Sequence, residues 1–234
     1  MSSLSPLPPQ LPRKSLGSQV YDSIREAIVS LKLEPGQMIY ENELAETLGV
    51  SRTPIREAIR LLVGEELLDV LPQKGTRIAY ISERKVTETR FIREQLEQGA
   101  FRIAARVWQA EVHRTQKEAI VQLLEEQRAA AAREDITEFL RLDEAFHRML
   151  LELTGNSTLL NVIYHMRAHL NRLRYLALKQ FHDMHRVLAE HEQLFAAIES
   201  KDETATVRLL EQHFGQLNTE LPSLREAFSH YFTD

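Results

Sequence analysis

The sequence contains no cysteine, which excludes disulfides and thiolate metal sites. Any bound metal must be held by imidazole, carboxylate, amide or carbonyl groups, and the redox compartment stays open. No run of about 18 to 20 apolar residues occurs, so no membrane span is expected. Met1 to Leu11 is Ser/Pro-rich, without the basic and apolar blocks of a secretion signal, and a cytoplasmic protein is expected. Proline is absent between Pro72 and Pro222, so no proline breaks a helix in that stretch. Positive charge is not in surplus either. The formal net charge is −5, and residues 1–80 hold nine Lys/Arg against ten Asp/Glu. A nucleic-acid partner must therefore be argued from where the cations sit.

What is present is a globular composition: 234 residues, 43% hydrophobic and 27% charged, enough for a substantial core and two domains. Ser18 to Leu33 carries Val20, Ile24, Ala27, Ile28 and Leu31 at helical spacing and is stopped by Pro35-Gly36. A second short helix runs from Glu41 to Leu48, with Gly49 ending it. Ser51 is placed to cap a third, with Thr53 and Pro54 in its first turn and Ile55, Ala58, Ile59 and Leu62 as its inner face. The Gly49-Val50-Ser51 separation is that of a helix-turn-helix. Val70 to Tyr80 then reads as two short strands around a Pro/Lys/Gly turn, a β-wing.

From Glu83 onward only helical patterns follow, over 83–109, 113–133, 136–153, 157–179, 182–200 and 202–219, with a short one near Leu224. The expected fold is mainly α: an N-terminal winged helix-turn-helix and a C-terminal all-α bundle. A tail (1–17), the winged domain (18–80), a linker (81–84), the bundle (85–220) and a tail or short helix (221–234) divide the chain.

Arg52, Arg56 and Arg60 recur every four residues, so they line one side of the third helix while the apolar residues line the other. Arginine's fork of donors suits guanine edges or phosphate oxygens. Arg25 on the first helix, with Lys74 and Arg77 at the wing, would add register-setting contacts. The run from Leu48 through Ser51-Arg52-Thr53-Pro54-Ile55-Arg56-Glu57-Ala58-Ile59, with Glu43-Leu44-Ala45 before it and the Pro72 to Gly75 wing after it, resembles the winged-helix domain of the GntR family of bacterial regulators. The resemblance implies operator contacts at Arg25, Arg52, Arg56 and Gly75, and Thr53, Arg60 and Lys74 join them as candidates. Two positions depart from the family pattern: Glu66 stands where a glycine is common, and Lys74 where an arginine is usual.

In the bundle, Asp143 and His147 are spaced i, i+4 and point the same way. His191 and His213 lie on later helices, and one Asp with three His drawn from three helices can converge on a divalent cation. Spacing constrains only the first pair, and a histidine on a helix is more often a surface or satisfied core residue. Asp143-Glu144-Ala145-Phe146-His147, Gly155-Asn156, Glu190-His191 through Ala197-Ile198, and His213 resemble the FCD ligand-binding domain of the FadR subfamily. That resemblance implies metal ligands at Asp143, His147, His191 and His213. The fatty-acyl-responsive member lacks this tetrad, so an acyl-CoA effector is not expected.

The donors suit Zn, Ni, Mn or Fe, with zinc the first expectation. Such a site would attract a small carboxylate, clamped at its far end by an arginine. Arg93 resembles the effector-contacting arginine of related proteins, and Asn171, Arg172 and Arg174 are further candidates whose other reading is solvent-facing polarity. The resulting expectation is a homodimeric repressor on a roughly palindromic double-stranded operator, released or recruited by a small organic acid, with no enzymatic activity and no membrane partner. The alternatives are a metallohydrolase with Glu144 or Glu190 as base, and a purely structural metal.

Overall fold

The computed structural model describes residues 15–233, so most of the expected tail over 1–17 lies outside the described residues. The chain forms two compact units. One holds the described residues up to Val86 with Ala168–Arg172 and the segment from Phe228; the other holds Thr87–Arg167 and Leu173–Ala227.

In the first unit, α1 (Leu16–Val29) starts at Ser15, whose hydroxyl accepts from the Ser18 amide at 3.1 Å. It ends four residues before Leu33, where the sequence pattern had placed its end. Leu31 turns into the left-handed region (φ 54°), and the Leu33 amide bonds back to the Ala27 carbonyl at 2.9 Å, folding Leu33 into the core. α2 (Glu41–Leu48) ends at Gly49, whose φ of 68° a side chain would resist, and α3 (Arg52–Gly64) follows. Ser51 occupies the N-cap position in extended conformation, but its side chain makes no capping bond.

Val20, Ile24 and Ile28 of α1 pack with Ile55 and Leu62 of α3 in one apolar cluster. The wing is β2 (Leu68–Leu71) and β3 (Gly75–Ile78), antiparallel. It is extended by a strand absent from the sequence reading, β1 (Met38–Ile39), in the order β1-β3-β2. Gly75 adopts φ 111°, and a Cβ there would meet the Met38 and Tyr40 side chains. Glu66, in place of the family's common glycine, also adopts positive φ (58°), and its carboxylate accepts from Lys85 Nζ at 2.6 Å.

The expected linker is ordered. Ile81–Ser82 forms β4, paired in parallel with β5 (Phe232–Thr233), and Ser82 Oγ accepts from the Lys85 amide at 3.2 Å as α4 begins.

The second unit is helical throughout: most of α4 (Glu83–Val107), then α5 (Arg114–Ala132), α6 (Ile136–Glu152), α7 (Ser157–Phe181) apart from Ala168–Arg172, α8 (Met184–Glu199) and α9 (Glu203–Ala227). Phe101, Trp108, Phe139, Phe146 and Phe195 anchor its core. α9 runs past the expected end near 219 and through Pro222. Proline forfeits one backbone bond, yet the helix continues and buries Leu224 completely. Among the described residues no helix is long and apolar enough to cross a membrane.

Candidate functional site

On α3 the apolar stripe turns inward, and Arg52, Thr53, Arg56 and Arg60 are left exposed. Arg52 Nη1 lies 3.4 Å from Asn42 Oδ1, and Arg56 Nε donates to Glu41 Oε2 at 2.8 Å with its side chain 62% exposed. Exposed pairs of this kind are worth roughly 0–1 kcal/mol, so both guanidinium groups can exchange these partners for nucleic acid. Lys74 and Gly75 are exposed at the wing tip, while Arg77 is engaged by Asp69 at 2.9 Å. Arg25 is presented differently. It is buried, with Nε 3.4 Å from Glu65 Oε2, and Tyr21 bonds the same carboxylate.

In the second unit, α6 supplies Asp143 and His147, α8 supplies His191 and α9 supplies His213. Their ligand atoms all lie within 4.8 Å of one another. Asp143, His147 and His191 are fully buried and His213 nearly so.

Each imidazole has its Nδ1 committed: His147 to Glu97 Oε2, His191 to Gln127 Oε1 and His213 to Glu190 Oε2, at 2.8 Å in every case. The Gln127 amide nitrogen donates to the Leu142 carbonyl, so its oxygen is the atom that meets His191. The Nε2 atoms of His147 and His191 are buried with no hydrogen-bond partner. His191 Nε2 stands 3.3 Å from Asp143 Oδ1 without the alignment of a hydrogen bond. Buried, orphaned imidazole nitrogens converging on a carboxylate are what a cation would satisfy. The residues present therefore fit a divalent metal with nitrogen and oxygen ligands.

The electrostatics agree. Burial pushes His147 down to about 3 despite the opposing charge of Glu97, and also lowers His213 against the pull of Glu190. Both are neutral near pH 7, the form that ligates. Burial alone would raise Asp143, but the Arg174 charge and the His191 contact hold it well below the usual carboxylate range. Glu97 is likewise held well below that range, against its burial, by Arg93 and His147.

The expected effector residues divide. Arg93 belongs to the cluster: its Nε donates to Glu97 Oε1 at 2.6 Å and its guanidinium carbon lies 4.7 Å from the Phe214 ring centroid. Arg174 meets Asp143 directly. Arg172 does not join them. It belongs to the winged-helix unit, where Nη1 donates to the Ala79 carbonyl at 2.6 Å, and Asn171 is buried in the same short segment. Neither is solvent-facing polarity.

The two glutamates considered as a hydrolytic base are placed otherwise. Glu190 already accepts from His213 and Arg186, and Glu144 lines a cavity of about 340 Å³ between α6 and α7. Glu97 and Gln127, which orient two of the imidazoles, were missed by the sequence reading. The i+4 spacing of Glu97 from Arg93 pointed only to an ion pair, not to an imidazole, and Gln127 carried no signal.

Residues 88–216 match the family described as FCD domain, and residues 16–78 match the bacterial regulatory proteins of the gntR family. The chain is 28% identical over 223 residues to the HTH-type transcriptional repressor RspR of Escherichia coli K12, covering 95% of this chain and 96% of that protein. It is 31% identical over 200 residues to the HTH-type transcriptional regulator YdhC of Bacillus subtilis, covering 84% and 86%. Among solved structures, E. coli McbR/YncC superposes with a TM-score of 0.79 at 22% identity, covering 92% of this chain and 99% of that one. At that identity the likeness is one of fold.

Proposed function

We propose that this chain, which belongs to the GntR family with an FCD domain as its C-terminal part and is a DNA-binding transcription regulator, is a metal-dependent repressor that senses a small organic acid. The ion, zinc in the first instance, would be held by Asp143, His147, His191 and His213. The observation that carries this reading is the pair of buried, partnerless Nε2 atoms beside the Asp143 carboxylate.

One carboxylate and three neutral imidazoles leave a divalent ion with a local charge of about +1, and with open positions that an anion can fill. Arg93, buried beside His147, is the group that would grip the far end of a hydroxy- or dicarboxylate through charge-assisted bonds. Arg174 would instead hold the Asp143 ligand, which it grips through both Nη atoms. Arg172 and Asn171 are left out of the anion grip, since Arg172 is spent on the Ala79 carbonyl.

DNA is met through Arg52, Thr53, Arg56 and Arg60 of α3 and through Lys74 and Gly75 of the wing. Arg25 acts beneath that surface by holding Glu65. Two copies acting across a two-fold axis would read a roughly palindromic operator. Regulation requires that the acid bind the DNA-competent and incompetent arrangements unequally, with the segment from Tyr80 to Ser82 as the lever.

His147→Ala tests this. The variant is expected to lose metal by elemental analysis, to lose calorimetric binding of hydroxy- and dicarboxylates, and to keep most of its operator affinity. A metal-free variant that still bound the acid and still changed its operator affinity would demote the metal to a structural part.

A further inference from the structure

Glu97 touches both a proposed metal ligand, His147, and the proposed anion grip, Arg93. It is 0% exposed. Its Oε2 takes His147 Nδ1 at 2.8 Å and its Oε1 takes Arg93 Nε at 2.6 Å. Arg167 Nη2 stands 3.7 Å from the same Oε1, so the negative charge is shared among two arginines and an imidazole.

An ionised carboxylate can only accept, so the bond to His147 places the ring proton on Nδ1 and leaves the Nε2 lone pair free. That is the nitrogen found buried without a partner. Gln127 does the same for His191 with a neutral oxygen, which polarises the ring less. Among these two rings, the carboxylate-backed His147 is the stronger donor.

Resting on the metal-and-acid reading above, we propose that Glu97 is the positioning residue of the site: it fixes His147 in the tautomer and orientation that present Nε2 to the ion, and through its other oxygen it holds Arg93 in place for the anion. One buried side chain would then keep the metal ligand and the anion grip in register. Arg93 Nη2, 3.5 Å from His147 Nδ1, shows how close the two halves stand.

The competing role for Glu97 is simple charge balance for Arg93 and Arg167, and two variants of the full chain separate the roles. Glu97→Asp keeps the charge beside the arginines but withdraws the oxygen from His147 by one methylene. Glu97→Gln keeps the length and an acceptor but loses the charge. Zinc affinity would be measured by chelator competition, and cobalt(II), in place of zinc, would report the ligand field by visible absorption. Malate would then be titrated into the zinc-saturated proteins.

Loss of an orienting partner typically weakens a metal about 10- to 100-fold. Both variants are expected to fall in that range, with shifted cobalt bands and weaker malate binding. Folding would be checked by circular dichroism, with Glu97→Asp, which preserves the buried charge balance, as the variant to rely on if Glu97→Gln does not fold. Wild-type zinc affinity and an unchanged cobalt spectrum in folded Glu97→Asp would overturn the assignment while leaving the metal reading intact. A wild-type protein that bound none of zinc, nickel or manganese would remove both.

Discussion

Arg174 grips Asp143 through both ends of its guanidinium, Nη1 to Oδ2 at 2.7 Å and Nη2 to Oδ1, with Asp143 fully buried. The carboxylate that would ligate the ion is thus already neutralised by an internal cation. Removing one partner of a buried pair costs about 3–5 kcal/mol, because the other charge is left uncompensated. Metal-free Arg174→Met is expected to melt well below the wild type and to recover more on adding zinc, since the ion replaces the missing charge. Calorimetric melting with and without zinc checks this. Equal zinc-induced shifts in the two proteins would show that Arg174 and the metal do not share Asp143.

The α3 arginines and the wing lysine should fail in different ways. If Arg52 and Arg56 reach base edges, alanine at either abolishes much of the discrimination between operator and scrambled duplex. Lys74→Ala should weaken both duplexes alike and lower the salt slope by roughly one unit. Fluorescence anisotropy over a salt series measures both, and arginine variants of unchanged specificity would contradict base contact.

His169 gives the winged-helix unit a pH dependence. Its Nε2 meets the Glu65 carbonyl at 2.7 Å and its Nδ1 meets Arg172 Nη2 at 3.2 Å. The neutral ring satisfies both, by donating to one and accepting from the other. Burial, then the Arg172 charge, push it down to about 4 from 6.5. The unfolded chain therefore binds this proton first as pH falls, so the stabilisation is complete above about 6.5 and is lost between there and about 4. His147, depressed to about 3 by burial, adds a loss of the same sign in metal-free protein. His169→Gln should be less acid-sensitive than the wild type by at most roughly 3 kcal/mol over that window. Urea melts at neutral and mildly acidic pH decide it, and parallel losses in both proteins would count against it.

An exposed apolar stripe runs along α4 through Ile92, Ile103 and Val107, with Phe91 beside it at 60% exposed. Residues at this spacing share a helix face, and pairing with a second copy would cover them. Sedimentation should give twice the 27.1 kDa chain mass for the wild type and a monomer for Ile103→Glu. A monomeric wild type with and without operator would refute the dimer.

Local features were legible in the order of residues alone. The α2 limits, the start of α3, the Gly49 turn, the β2-β3 wing and most of the bundle helices follow from spacing, caps and breakers, which act within a few residues. The Asp143-His147 pair was legible for the same reason, and the outward arginines of α3 were what its apolar stripe left over. Tertiary structure decided the rest, because it depends on which distant residues compete for one partner. Strand β1 exists only because β3 offers it an edge, and β4 only because residues 232–233 return to it. Arg25 is drawn inward by Glu65, forty residues away, and Arg172 by the Ala79 carbonyl, although neither local pattern differs from that of a solvent-facing arginine. Glu97 and Gln127 read as ordinary polar positions on α4 and α5. They meet His147 and His191 across 50 and 64 residues of chain, because a buried imidazole must place its proton on some acceptor and packing brings those two within reach.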